Sequence, residues 1–313
     1  MKQELTFDTI ILGSGPAGFS AAIYAARGAN STAIIDTSVI GGQPTNYLEL
    51  ENYPGYALIG GFELMEKFEQ HADKFNVNKF PMQEIEKINL VTKTIETFDT
   101  IFEAKTIILA TGAKAKKLGV KGENEYVGRG VSYCAVCDGA FYRDKTVAVV
   151  GGGNAAVEEA VYLTKFAQKV YIIHRRDELR ADKILQQRAF ENPKIEFIFD
   201  TVVEEIVGAD LVTNVELKNV KTNEKSSLSV NGVFPYIGFA PNVEGFSGQL
   251  EQDANGFVIT NETLQTSVEG VFAAGDLRNT PLRQVITAAS DGAIAAVYAI
   301  KHLETIKQPV KVS

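Results

Sequence analysis

Cys134 and Cys137 are separated by Ala135 and Val136 and followed by Asp138, and the chain has no other cysteine. Two intervening residues bring the sulfurs close enough for a reversible disulfide, and this spacing often lowers one thiol's pKa below the free value of about 8.5. Asp138 is placed to give or take the proton that accompanies thiol–thiolate exchange. A structural zinc site needs four ligands. There is no second cysteine pair, and His71, His174 and His302 lie far off in sequence, so no metal is expected. A disulfide exchanges two electrons, which a flavin accepts as hydride and passes on.

The carriers are read from two glycine-rich segments. Residues 9–24 (TIILGSGPAGFSAAIY) and 147–162 (VAVVGGGNAAVEEAVY) align without a gap at an offset of 138. Gly13, Gly15 and Gly18 fit G-x-G-x-x-G, and Gly151, Gly153 and Ala156 fit its G-x-G-x-x-A variant. The first glycine makes the turn, the second lets backbone approach a pyrophosphate, and the third position must be small for helix–strand packing. The helix N-terminus then offers free N–H groups to the phosphates. The same offset relates the ends of the next strands. Ser31–Ile35 leads to Asp36, a carboxylate suited to a ribose 2′-hydroxyl. Lys169–Ile173 leads to His174, Arg175 and Arg176, with Arg180 one turn on, a cluster suited to a 2′-phosphate. The expectation is FAD on the first segment and NADPH on the second.

These residues must be carried by two nucleotide-binding units. The expected fold is α/β, with two Rossmann-like domains and the NADPH domain inserted into the FAD domain. The expected bounds are 1–115 with 245–313 for FAD and 116–244 for NADPH, with crossings near Ala113–Lys117 and Gly238–Asn242, where Gly, Pro, Lys and Asn cluster. Strands are expected at Thr106–Ala110, Ile195–Phe199, Val212–Asn219, Ser227–Phe234 and Gly270–Ala274. Helices are expected near Gly61–Phe75 and Arg283–Leu303. The 313 residues suit about two domains, and 45% apolar with 22% charged residues is an ordinary globular mix. Thirty-one Lys and Arg against 39 Asp and Glu give a net charge of −8, which argues against a nucleic-acid or anionic-membrane partner. No apolar run approaches the ~18 residues of a membrane span. The Met1–Thr6 segment lacks a secretory pattern and the cysteines form no scaffold, so a cytoplasmic protein is expected.

Taken together, the motifs resemble the low-molecular-weight thioredoxin reductases of bacteria, over nearly the whole chain. They are GSGPAG at 13–18, GGQ at 41–43, ENYPG at 51–55, ATGA at 110–113 and CAVCDGAFYR at 134–143. Further along stand GGGNAAVEEA at 151–160, which includes Asn154, HRRDELRA at 174–181, GVFAAGD at 270–276 and RQ at 283–284. The resemblance implies a homodimer carrying FAD and NADPH and reducing thioredoxin. It places Gly41, Gly42, Gln43 and Asn52 near the flavin, and Asp276, Arg283 and Gln284 against its ribityl–phosphate portion. It makes Cys137 the sulfur nearer the flavin, Cys134 the one that attacks thioredoxin, and Asp138 the acid/base. It also implies that the inserted domain rotates, since nicotinamide and cysteine pair must each meet one isoalloxazine ring. Pro44-Thr45-Asn46-Tyr47 departs from the family's commoner Leu and hydroxyl residues after GGQ. Alternative readings are a flavoprotein reductase for a glutaredoxin-like or peroxiredoxin partner, and a flavin-based redox sensor.

Overall fold

Short β-branched runs that end in glycine turns and Ala-rich stretches fold as strand–turn–helix units. The computed structural model describes residues 2–47 and 49–307. The order begins β1 (Gln3–Leu12), α1 (Pro16–Arg27), β2 (Thr32–Ile35), α2 (Gly61–Asp73), β3 (Asn78–Phe80), β4 (Ile85–Asn89), β5 (Thr94–Thr97) and β6 (Thr100–Leu109). It continues β7 (Ala113–Ala115), α3 (Ala135–Asp138), β8 (Thr146–Gly151), α4 (Asn154–Leu163), β9 (Lys169–Ile173), α5 (Lys183–Phe190) and β10 (Ile195–Ile198). Then come β11 (Thr201–Gly208), β12 (Val212–Asn219), β13 (Lys225–Ser229), β14 (Gly232–Tyr236), β15 (Phe239–Pro241), β16 (Val271–Ala273) and α6 (Val285–Lys307). The chain divides into two compact units, Met1–Lys114 with Ala240–Ser313, and Ala115–Phe239.

In the first unit the sheet runs β3-β2-β1-β6-β5-β4, with β16 also on β6. The β3, β2, β1, β6 and β16 pairings are parallel, while β5 and β4 add an antiparallel edge. Strand alternation splits its apolar residues between two cores. Ile11, Ile34, Ile108 and Phe272 pack with Phe19, Ala22, Met65 and Ala295 on the helical side. Ile10, Leu12, Ile35, Ile107 and Leu109 pack with Phe102 and Phe246 on the other. A parallel sheet is buried on both faces, which is why these strands read as unbroken apolar runs.

The second unit repeats the plan with the parallel sheet β10-β9-β8-β14 and adds the antiparallel sheet β11-β12-β13. Val147, Val149 and Ile172 lie in the core with α4, and Ala148, Val150 and Ile173 in the core with Ile206 and Val215. The single strand expected at 227–234 is two strands in different sheets. Val230 N donates to Thr213 O at 3.0 Å, while Asn231 N donates to Thr146 O at 2.8 Å. Asn231 Oδ1 also accepts from Thr146 N at 3.1 Å. The chain therefore hands its ladder from one sheet to the other at residues 230–231, a switch that the local β-propensity of 227–234 does not encode. No helix among the described residues is long and apolar enough to cross a membrane.

Two buried side chains of this unit, Glu159 and His174, each keep an atom without a hydrogen-bond partner among the described residues. Glu159, on α4, is 5% exposed, and its Oε2 has no hydrogen-bond partner among the described residues. Burial, then the charge of Glu158, push its carboxyl from 4.5 to about 7. An acid whose pKa is raised by folding weakens the folded state above about pH 7, and that penalty fades as pH falls toward 4.5. Glu159→Gln is therefore expected to stabilise the protein by about 2–3 kcal/mol at pH 8 and to leave it near neutral at pH 4.5. Thermal melts at the two pH values check this, and an equal shift at both would exclude the buried charge as the cause.

Candidate functional site

The candidate residues of the first unit gather at the carboxyl ends of β1, β6 and β16, where open α/β sheets bind ligands. Gly13 has φ +109°, and a Cβ there would strike the carbonyl of Ala110. A Cβ on Gly18 would strike the carbonyl of Gly13, so α1 seats on the turn only because position 18 has no side chain. A Cβ on Gly15, by contrast, would meet nothing within 4 Å. Gly15 caps α1 in an extended conformation with no side-chain cap, followed by Pro16. Free N–H groups of the first helical turn and an open backbone face make a cradle that fits a pyrophosphate.

Ser14, in the same turn, ties two more candidate segments to it. Asp36 Oδ2 accepts from Ser14 N at 2.7 Å and Ser14 Oγ at 2.6 Å, and Asp36 Oδ1 accepts from Ser38 N and Oγ at 2.8 and 2.9 Å. Four acceptances fill the capacity of the carboxylate, so a ribose hydroxyl reaches Asp36 by displacing a serine hydroxyl. Gly41 N donates to Ser14 Oγ at 3.3 Å, and a Cβ on Gly42 would lie 3.0 Å from Gly15 Cα. Gln43 Nε2 donates to Ala113 O at 3.2 Å, and Asn52 Nδ2 donates to Gln284 Oε1 at 3.0 Å across 232 residues of chain. Asp276 lies in the turn that follows β16. Burial pushes its carboxyl up to about 6, with Arg283 pulling down and Asp291 pushing up. The Arg283 guanidinium sits 4.0 Å over the Phe257 ring. Its Nε is buried without a partner among the described residues, as is Asn242 Oδ1. An orphan donor on Arg283, whose charge acts on the buried Asp276, fits a polar chain such as the ribityl–phosphate of a flavin.

In the second unit Gly151 has φ +154°, and a Cβ there would strike the carbonyl of Tyr236. A Cβ on Gly153 would meet nothing, and Ala156 is fully buried. Asn154 and Asp182 clasp one another, Nδ2 to Oδ2 at 2.7 Å and Asp182 N to Asn154 Oδ1 at 2.8 Å. Arg180 N donates to Gly152 O at 2.7 Å, which folds the arginine loop onto the turn. His174 is 4% exposed and its ring lies where a Cβ on Gly152 would be. Burial, then the charges of Arg180, Arg176 and Arg175, hold its pKa below the usual histidine value, so it is neutral at pH 7. Arg175, Arg176 and Arg180 are exposed. No carboxylate among the described residues pairs with them, and three unneutralised guanidinium groups beside an open turn fit a 2′-phosphate.

Cys134 and Cys137 form a disulfide. Cys134 caps the single turn α3, and Cys137 N donates to Cys134 Sγ at 3.1 Å. Ser132 Oγ accepts from Cys134 N at 3.1 Å, and the Tyr236 hydroxyl accepts from Ala135 N at 3.0 Å. Cys137 is exposed and Cys134 half-buried. Asp138 is close enough to Tyr142 that, after burial, its charge helps push that phenol up to about 12. Ser14, Tyr236, Asn242 and the Arg278–Asp291 pair were not among the residues expected from sequence. Only Asp291 had a legible signal, as the lone acid in the Ala-rich stretch 285–300.

The pattern of the family described as pyridine nucleotide-disulphide oxidoreductase matches residues 7–292. A thioredoxin reductase of Bacillus subtilis is 45% identical over 314 residues, covering 99% of each chain. The crystal structure of Lactococcus lactis thioredoxin reductase superposes with a TM-score of 0.91 at 46% identity, covering 96% of this chain and 99% of that one. The crystal structure of T. acidophilum thioredoxin reductase gives 0.89 at 36% identity over the same shares.

The glycines of the first turn predict opposite outcomes for one substitution. Gly18→Ala is expected to cost roughly 1–3 kcal/mol of stability. Gly15→Ala is expected to melt within about 0.5 kcal/mol of the parent but to lose most of its flavin. Melts of flavin-free protein and the visible absorbance after purification check both, and a fully yellow Gly15→Ala would remove this turn from the ligand site.

Proposed function

The chain belongs to the pyridine nucleotide-disulphide oxidoreductases and, within them, to the thioredoxin reductases, and from that premise we propose how its residues share the reaction. Two electrons pass from NADPH by way of FAD to the disulfide and on to oxidised thioredoxin, which leaves as the dithiol. Bound FAD supplies the relay between a hydride donor and a disulfide. In our reading Gly13, Gly15 and Gly18 cradle its pyrophosphate, and Asp36 meets its ribose. Gly41, Gly42, Gln43, Asn52, Asp276, Arg283 and Gln284 line the rest. Gly151, Gly153, Asn154 and Ala156 form the NADPH turn, with Arg175, Arg176 and Arg180 on the 2′-phosphate and His174 packed beneath them. The first unit is thus the FAD unit and the inserted one the NADPH unit. We further read the protein as a cytoplasmic homodimer, by kinship and because its cysteines serve as a redox pair rather than a scaffold.

The observation that carries the chemistry is the donation of Cys137 N to Cys134 Sγ. Reduction of the disulfide by two electrons and one proton leaves a thiol and a thiolate. A backbone N–H aimed at Cys134 Sγ favours the thiolate there, since a hydrogen bond to the charged form lowers a pKa. Cys134 then attacks the thioredoxin disulfide, and Cys137 attacks Cys134 to release reduced thioredoxin and restore the bond. Asp138 holds the proton that moves between these steps.

NADPH oxidation by the purified protein is expected to require both thioredoxin and the cysteine pair. Cys134→Ser and Cys137→Ser should each abolish turnover, and only Cys134→Ser should show a long-wavelength thiolate–flavin band. The band in Cys137→Ser instead would reverse the two roles. NADPH that bleaches the flavin without thioredoxin-dependent turnover would make the acceptor another small dithiol protein. Arg175→Ala with Arg176→Ala is expected to raise the KM for NADPH about 10- to 100-fold, at ~1.4 kcal/mol per tenfold, and to leave NADH nearly unchanged. Equal losses with both nucleotides would sink the 2′-phosphate assignment.

A further inference from the structure

Asp291, on α6, is 6% exposed and meets its charge partner in full. Its Oδ2 accepts from Arg278 Nε at 2.6 Å and its Oδ1 from Arg278 Nη2 at 2.8 Å. The same Oδ2 accepts from Gly275 N at 3.1 Å. One buried carboxylate therefore clips both ends of the segment Gly275–Arg278, and Asp276 lies between the two anchor points. Arg278 N closes the segment onto Gly275 O at 3.1 Å, and Leu277 O accepts from Val258 N at 3.1 Å. Asp276 is left with little freedom of its own.

The next residue on α6 holds the other turn. A Cβ on Gly292 would strike the carbonyl of Ala17, in the first turn of α1. Ala17 in turn has its Cβ 3.0 Å from where a Cβ on Gly275 would be. Consecutive positions of α6 thus seat the turn that bears Asp276 and the turn that bears Gly13, Gly15 and Gly18. A flavin dinucleotide held at both places needs that spacing to be set before it arrives, because preorganisation removes an ordering cost from binding.

We propose that Asp291, acting through Arg278 and Gly275 N, is a positioning residue that presents Asp276 to the ribityl–phosphate portion of FAD at a fixed distance from the pyrophosphate turn. The inference rests on the reading that the first unit holds FAD. Removing one member of a buried ion pair strands the other charge, whereas removing both often leaves stability little changed. A structural role and a positioning role are separable on that ground.

The test titrates FAD into flavin-stripped protein and follows the quenching of flavin fluorescence, alongside melts of the same stripped protein. Asp291→Asn and the paired Asp291→Asn/Arg278→Gln variant are each expected to weaken FAD binding about tenfold or more, with the paired variant melting near the parent. In an Asp276→Asn background, Asp291→Asn is expected to add less than about twofold, because coupled residues are not additive. A paired variant that regains both melting point and FAD affinity would overturn the inference, as would full additivity with Asp276→Asn. Parent protein that takes up no FAD would overturn the reading of the first unit and this inference with it. Parent binding with unchanged affinity in the variants would overturn the inference alone.

Discussion

The contact of the Gly13 carbonyl with the bare α-carbon of Gly18 is the constraint from which the first unit is built. A helix that follows a strand through a three-residue turn reaches the sheet only if nothing projects at that point. With α1 seated there, its first-turn N–H groups face the crevice at the carboxyl ends of β1 and β6. Ser14 is carried to Asp36 and Gly41, and Ala17 to Gly275 and Gly292. Segments from residues as distant as 36 and 292 therefore lean on the turn or on the first turn of α1. The second unit solves the same problem with Gly151 against the Tyr236 carbonyl and with a buried methyl at Ala156.

Two copies of one scaffold then differ by electrostatics at one place. At the end of β2 a carboxylate is locked by four donors from Ser14 and Ser38. At the end of β9 a buried, neutral His174 supports a loop of exposed arginines whose backbone is tied to Gly152. Both arrangements leave the helix N-terminus free for a pyrophosphate, and they part only over the adenosine ribose. An anionic 2′-phosphate beside Asp36 would face like charge, while beside Arg175, Arg176 and Arg180 it finds bidentate donors. On the reading proposed above, discrimination between the nucleotides is a property of single strand ends, not of the fold they share.

That locality explains what the sequence reveals. Strand, glycine turn and helix are written within 16 consecutive residues, and the Cys-x-x-Cys pair within four, so both are readable by eye. The parallel cores follow from apolar runs, and the two-unit plan from the 138-residue offset. The hand-over at Val230–Asn231 is not readable, because it depends on Thr146 and Thr213 in other strands. Nor is the Asn52–Gln284 bond, made across 232 residues, or the full occupation of Asp36 by Ser14, a variable position of the fingerprint, and Ser38, outside it. Arg278 reads as an ordinary loop charge until Asp291 is seen beside it. Side chains that act through a partner far along the chain carry no local pattern, and these are the ones that set the geometry.

The placement of the disulfide follows from one residue of the second unit. Tyr236 is the last residue of β14 and is in register with Gly151 across the parallel ladder. Its carbonyl fills the space where Gly151 lacks a side chain, and its hydroxyl accepts from Ala135 N, between the two cysteines. The nucleotide turn and the redox helix therefore hang from a single side chain and its own backbone. A shift of β14 relative to β8 would disturb both at once. Within this unit the glycine turn at Gly151 and the disulfide-bearing turn at Ala135 are thus both referred to the end of β14. The Tyr236–Gly151 contact therefore sets the geometry of the redox pair as well as that of the fold.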